Sequence, residues 1–206
     1  MRTNSEYKDM ALRSLEGNWG KAAIASLIYF AILEIAGNSP SFVLDPVPGM
    51  IGQGLITILL LPLGWGYAVF FLRLIRREDT DYGRLFDGFS QYGRILLAEL
   101  LKGIYVLLWS LLLIVPGIIK EYSYAMTDFI LKDHPEMNGE QAICESMRMM
   151  EGHKMQLFLL DLSMIGWLIL SILSLGIGFL FSYPYLCTAH AHFYEDVKAE
   201  SLTSNL

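Results

Sequence analysis

A chain of 206 residues that is 54% hydrophobic and 17% charged, with mean hydropathy +0.43, is too apolar for an ordinary soluble domain. Its net charge of −6 argues against a nucleic-acid partner, because phosphate binding needs clustered cations. The acidity does not oppose membrane insertion, since orientation follows the positions of Lys and Arg, and Cys144 and Cys187 are too few for a disulfide framework.

The first 18 residues are polar and hold no short apolar core, so no cleavable signal is expected. They read as an amphipathic helix, with Tyr7, Met10, Ala11 and Leu15 on one face and Lys8, Asp9, Arg13 and Glu16 on the other. A membrane helix needs about 20 mainly apolar residues. Residues 21–36 supply a first span and residues 51–72 a second. Next, Tyr82, Leu85, Phe86 and Phe89 follow helical spacing, weakened by Gly83 and Gly88.

As a single helix, residues 94–131 would reach ~57 Å, nearly twice the bilayer, so the segment must fold back on itself. The reversal is expected between Trp109-Ser110 and Val115-Pro116-Gly117, because proline suits the first turn of a new helix. A third amphipathic segment has Ile143, Met147 and Met150 apolar, introduced by a capping box at Asn138 and Gln141. Residues 155–173 and 176–195 form the last pair, broken around Ser174–Gly178.

This predicts an all-α, polytopic membrane helix bundle in one integral membrane domain, residues 1–206. Six transmembrane helices form three hairpins (about 20–75, 92–132 and 154–196), each introduced by a short cytosolic amphipathic helix. The segments 37–50, about 110–117 and 173–178 contain no Lys or Arg. Every basic loop then falls on one side, which the positive-inside rule assigns to the cytoplasm together with both termini. The junctions Trp19-Gly20-Lys21, Tyr92-Gly93-Arg94 and Gly152-His153-Lys154 resemble one another. So do Arg13–Gly17 (RSLEG) and Arg148–Gly152 (RMMEG), and Pro62, Pro116 and Pro184 recur in the second helix of each hairpin. These likenesses suggest a weak threefold repeat; the shared preferences of interfacial segments account for them equally well.

Of the 15 Lys and Arg residues, only Lys102 and Lys120 lie inside membrane-length apolar segments. A charge at mid-membrane costs roughly 2.5–3.5 kcal/mol, so both should turn inward and find partners. Lys102 and Asp161 lie at similar depth and are expected to pair; Lys120 should meet Glu34 or Glu121. The fourth span places Lys120, Ser123 and Thr127 on one strip and Glu121, Tyr124 and Asp128 on the next. The sixth aligns Tyr183, Cys187, His190 and Tyr194. These two spans are the expected bundle interior. The candidate polar cluster is Glu99, Lys102, Lys120, Glu121, Tyr124, Asp161 and His190, either as ion pairs knitting helices or as the lining of a cavity.

No phosphate-binding loop, HExxH, GxSxG or paired CxxC is present. His190 and His192 point in different directions on a helix and would not share a metal. His192 and Asp196, at i and i+4, are the one pair a membrane hydrolase could use. No enzyme, metal or cofactor is expected.

The segments WSLLLIVPGIIKEYSYAMTDFIL (109–131), AICESMRMMEGHKMQLFLLDLSMIGW (142–167) and SLGIGFLFSYPYLCTAHAHFYED (174–196), with ALRSLEGNWGKA (11–22), resemble the bacterial integral membrane family catalogued as domain of unknown function 975. The resemblance covers roughly residues 8–198. It implies a bacterial multi-pass membrane protein, found mostly in Gram-positive lineages, and carries over no activity or catalytic residue. The expected function is a non-enzymatic membrane scaffold, accessory or lipid-responsive component in the cell membrane. Its expected partners are membrane lipids and another membrane protein or a second copy. The alternative is a small-solute transporter or channel lined by the fourth and sixth spans.

Overall fold

The computed structural model describes the backbone of residues 1–43 and 46–203 and the side chains of 1–36 and 51–203; the described residues form helices and no strand. In chain order the elements are α1 (Asn4–Leu15), α2 (Trp19–Val43), α3 (Pro46–Leu59), α4 (Leu61–Arg76), a 3-10 helix (Tyr82–Phe89), α5 (Tyr92–Leu112), α6 (Ile114–Tyr124), α7 (Thr127–Asp133), α8 (Gly139–Met149), α9 (Lys154–Leu173) and α10 (Phe179–Thr203). Helices α2 and α3 extend through most of the expected outer segment 37–50, whose residues 44 and 45 lie outside the described residues.

Local chemistry sets the ends. Thr3 caps α1 and Asn138 caps α8, each in a reciprocal capping box, with Glu6 and Gln141 respectively. The chain leaves both helices through a glycine at positive φ, Gly17 (76°) and Gly152 (84°), within the two related sequences RSLEG and RMMEG. Leu113, extended at φ −160° and ψ 140°, separates α5 from α6, and Pro116 occupies the first turn of α6 as expected. The two helices then run antiparallel: Lys120 lies over Trp109, and the Tyr124 ring is 6.2 Å from that of Tyr105. Likewise α9 and α10 are antiparallel, joined by Ser171 to Ser182 (2.8 Å) and Trp167 to Tyr185 (6.1 Å between rings).

Among the described residues, four stretches are long and apolar enough to cross a membrane: Trp19–Ala36, Ile51–Ile75, Tyr92–Leu112 and Lys154–Leu173. The expected fourth and sixth spans, α6–α7 and α10, fall outside that group. Helices α6 and α7 are short and separated by a break, and α10 carries His190, His192, Glu195, Asp196 and Lys198. What they lack in apolarity they offset by shelter. Ser182, Tyr185, Thr188, Ala189, Ala191, Phe193, Tyr194 and Val197 of α10 are buried.

Helix α4, which sequence periodicity did not distinguish, joins α7 and α10 in the interior, whereas α6, expected inside as part of the fourth span, is exposed at Ile114, Val115, Ile118 and Ile119. Half of the window Ile51–Ile75 is buried, against 17%, 11% and 22% of the other three membrane-length windows. Leu63, Val69, Phe70, Phe71 and Leu72 are fully enclosed. Outside this centre, α5, α6 and α9 present a belt that includes Leu107, Leu111, Ile114, Ile165, Ile169 and Leu173, exposed by 49–75%. An apolar surface that extensive belongs against lipid or another protein, because water would penalise it at roughly 25 cal/mol per Å².

The second amphipathic segment differs from expectation. A 3-10 helix repeats every three residues, so Tyr82, Leu85 and Gly88 share the inner side while Phe86 and Phe89 turn outward. It lies directly on α4, because Gly66 faces the Leu85 carbonyl and Gly88 faces the Pro62 carbonyl with no side chain between them.

Candidate functional site

Two polar clusters join residues of the membrane-length helices α5 and α9 to α6, α7 and α10. In the first, Lys102 of α5 donates a hydrogen bond to Asp128 Oδ1 of α7 (2.5 Å). Glu99 Oε1 is 2.8 Å from the same Nζ but out of line for a hydrogen bond. All three side chains are 15–20% exposed. The expected Lys102–Asp161 pair does not form. Equal depth on two helices says nothing of whether they are neighbours, and it is Asp128 of α7 that reaches Lys102.

Asp161 belongs to the second cluster. His190 Nε2 of α10 lies 2.6 Å from Asp161 Oδ1, and the Tyr122 hydroxyl of α6 donates to Asp161 Oδ2 at 3.0 Å. Three helices are thereby tied through one carboxylate. Lys120 takes a different partner from those expected: its Nζ sits 5.1 Å over the Trp109 ring and 3.9 Å from Met147 Sδ. Indole faces attract cations, most strongly where water is excluded. Among the described residues Lys120 forms no ion pair with Glu121, which is exposed on α6. Tyr124 is buried, between Tyr105 and the core.

The break between α6 and α7 is the feature that sequence reading missed. No glycine or proline marks it. Ser146 of α8 fills it: its hydroxyl donates to the Ser123 carbonyl (2.9 Å) and accepts from the Met126 N–H (3.1 Å). Thr127 Oγ1 bonds the Tyr124 carbonyl at 2.7 Å, and Trp65 Nε1 of α4 donates to the Asp128 carbonyl at 2.9 Å. A break in a helix is tolerated when neighbouring side chains take up the freed backbone groups, and here they do.

At the end of α7 a charged layer ties the helices. Asp133 accepts from Arg76 at 2.5 and 2.7 Å, from Lys198 at 2.5 Å and from the Tyr194 hydroxyl at 2.8 Å. Burial would push the Asp133 carboxyl up, and the bonds from Arg76, Lys198 and Tyr194 outweigh it, holding the group well below the usual carboxylate range. Arg94 spans to the end of the same helix, donating to the carbonyls of Leu131, His134 and Met137 at 2.8–3.1 Å. It caps α7 from another element, where a cation also complements the helix dipole.

The hydrolase geometry is not formed. His192 Nε2 pairs with Ser14 at 2.8 Å, while Asp196 accepts the Tyr7 hydroxyl at 2.9 Å and binds Arg2. Among the described residues, no group of three or more His, Cys, Asp or Glu could hold a metal.

Among the described residues, the fold and its paired polar interior define an all-helical arrangement carrying four helices of membrane-crossing length and apolarity. Residues 1–119 and 111–201 match the family described as "Protein of unknown function (DUF975)", and the chain belongs to that family. No curated protein and no solved structure matches it.

Proposed function

We propose a multi-pass protein of the cell membrane, with six spans in three hairpins and both termini cytoplasmic. It works without catalysis, as a scaffold, accessory or lipid-responsive component whose partners are membrane lipids and another membrane protein or a second copy. The observation that carries the reading is the pairing of the interior charges: Lys102 with Asp128 and Glu99, and Asp161 with His190 and Tyr122. Groups matched to each other across helices fasten a bundle and leave little to bind a solute. The shelter that α4, α5 and α8 give to α6–α7 also explains how so polar a segment serves as a span.

The test is Lys102→Met, which strands two carboxylates. Abundance in the membrane should fall severalfold, and the neutralised triple variant Lys102→Met/Glu99→Gln/Asp128→Asn should recover it. A Lys102→Met protein that is abundant and folded but loses movement of a solute would overturn the reading.

A transporter or channel remains the second reading, because discontinuous helices near buried charge are the usual form of a transport site. The α6–α7 break beside Asp128 is such an arrangement.

A further inference from the structure

A cleft of about 580 Å³ opens between the end of α1, the start of α2 and the end of α4. Arg13, Lys21 and Arg77 line it, with Asn18 between them and Glu16 and Glu78 on its walls. Most cations of the chain are matched elsewhere: Arg2, Arg73, Arg76, Arg84, Lys102, Lys132, Arg148 and Lys198 all have acidic partners. Arg94 is spent on backbone carbonyls and Lys120 on Trp109. Among the described residues, Lys8, Arg13, Lys21, Arg77 and Lys154 form no ion pair within 4.0 Å, and three of these five converge on this one cleft.

The carboxylates do not cancel them. Glu78 lies 3.9–4.0 Å from Arg73, Arg76 and Lys132, so its charge is already matched. Glu16 alone opposes three cations. Arg77 adds an independent sign, for it ends α4 in the left-handed conformation (φ 58°, ψ 30°) where glycine or asparagine is usual. An arginine that lines the cleft is thus held there at the expense of backbone ease. Lys21 also stands at the start of the membrane-length stretch Trp19–Ala36, and Ile24 and Leu27, exposed by 45% and 55%, follow it along α2. A polar head in the cleft could thus continue into apolar chains along α2.

We propose that this cleft binds a phosphate group, specifically the phosphodiester headgroup of an anionic phospholipid. The inference rests on the membrane orientation proposed above, which puts Arg13, Lys21 and Arg77 at the cytoplasmic surface. The test follows thermal unfolding of the detergent-purified protein titrated with soluble short-chain phosphatidylglycerol, with phosphatidylcholine of the same chain length, or with inorganic phosphate. Phosphatidylglycerol should protect at the lowest concentration. Arg13→Gln and Lys21→Gln, both at exposed side chains, should each weaken that protection about fivefold, the effect of one cation at an anionic interface. Lys8→Gln/Lys154→Gln should leave it unchanged.

If inorganic phosphate protects as well as the lipid and the same variants weaken it, the phosphate site stands and its ligand is the free anion. Equal protection by phosphatidylcholine, or protection undiminished in both single variants, overturns the proposal. A failure here, with the termini and loops still placed as proposed by labelling, removes this site and leaves the membrane reading intact.

Discussion

Asp133 shows what a single carboxylate can do when four donor contacts from three side chains converge on it. Because its carboxyl is held below the value it has in an unfolded chain, it contributes stability above the unfolded value of about 3.9, and that contribution fades as pH falls below it toward the folded value. Asp133→Asn should therefore destabilise the purified protein by about 2–3 kcal/mol near neutral pH, the scale of breaking a largely buried pair. The gap between variant and parent should narrow below about pH 4; a gap that widens in acid would contradict the assignment. Residue identities were legible here and pairings were not. Lys102, Asp161 and His190 stand out in the sequence as polar groups in apolar surroundings. Depth along a helix can be counted at ~1.5 Å per residue, but which neighbour a side chain meets depends on how the helices sit around one another. Asp128 thus took the place expected of Asp161, and an indole face took that of a carboxylate for Lys120.

At the scale of elements, long apolar runs and caps were readable, while breaks and close contacts were not. The capping box at Asn138 and the reversal near Pro116 follow from local chemistry. The break after Tyr124 depends on Ser146, a residue 20 positions from the Met126 N–H it satisfies. The 3-10 helix depends likewise on α4, whose backbone it touches through Gly66 and Gly88. A β-carbon at Gly66 would run into the Leu85 carbonyl, which is main chain and cannot swing aside. Gly66→Ala should cost about 2–3 kcal/mol, the upper range of core overpacking. Gly103→Ala, on α5 with nothing within 4 Å of the added carbon, should be neutral or stabilise by about 0.5–1 kcal/mol. Thermal unfolding of both variants in one detergent checks the contrast; equal behaviour would mean the 3-10 helix is not held by backbone contact.

For the whole molecule, orientation is the claim open to the most direct measurement. Leu175, 94% exposed in the turn between α9 and α10, should accept a membrane-impermeant maleimide on intact cells when replaced by cysteine in a Cys144→Ser background. Native Cys144, exposed on α8, should react only after permeabilisation, and the opposite pattern would reverse the proposed topology. Helix content, membrane-length apolar stretches and the clustering of basic residues between them can be read from residue order, because each is a local or cumulative property of the chain. Which helices lie inside cannot. Lipid is as apolar as a protein core, so α4, without a charge from Leu61 to Leu72, carries no mark of being central. Only packing put α4 beside α10, matched Lys102 to Asp128, and brought Arg13, Lys21 and Arg77, which form no ion pair among the described residues, together at one cleft. Those outcomes depend on distances between segments far apart in sequence, and such distances exist only once the chain has folded.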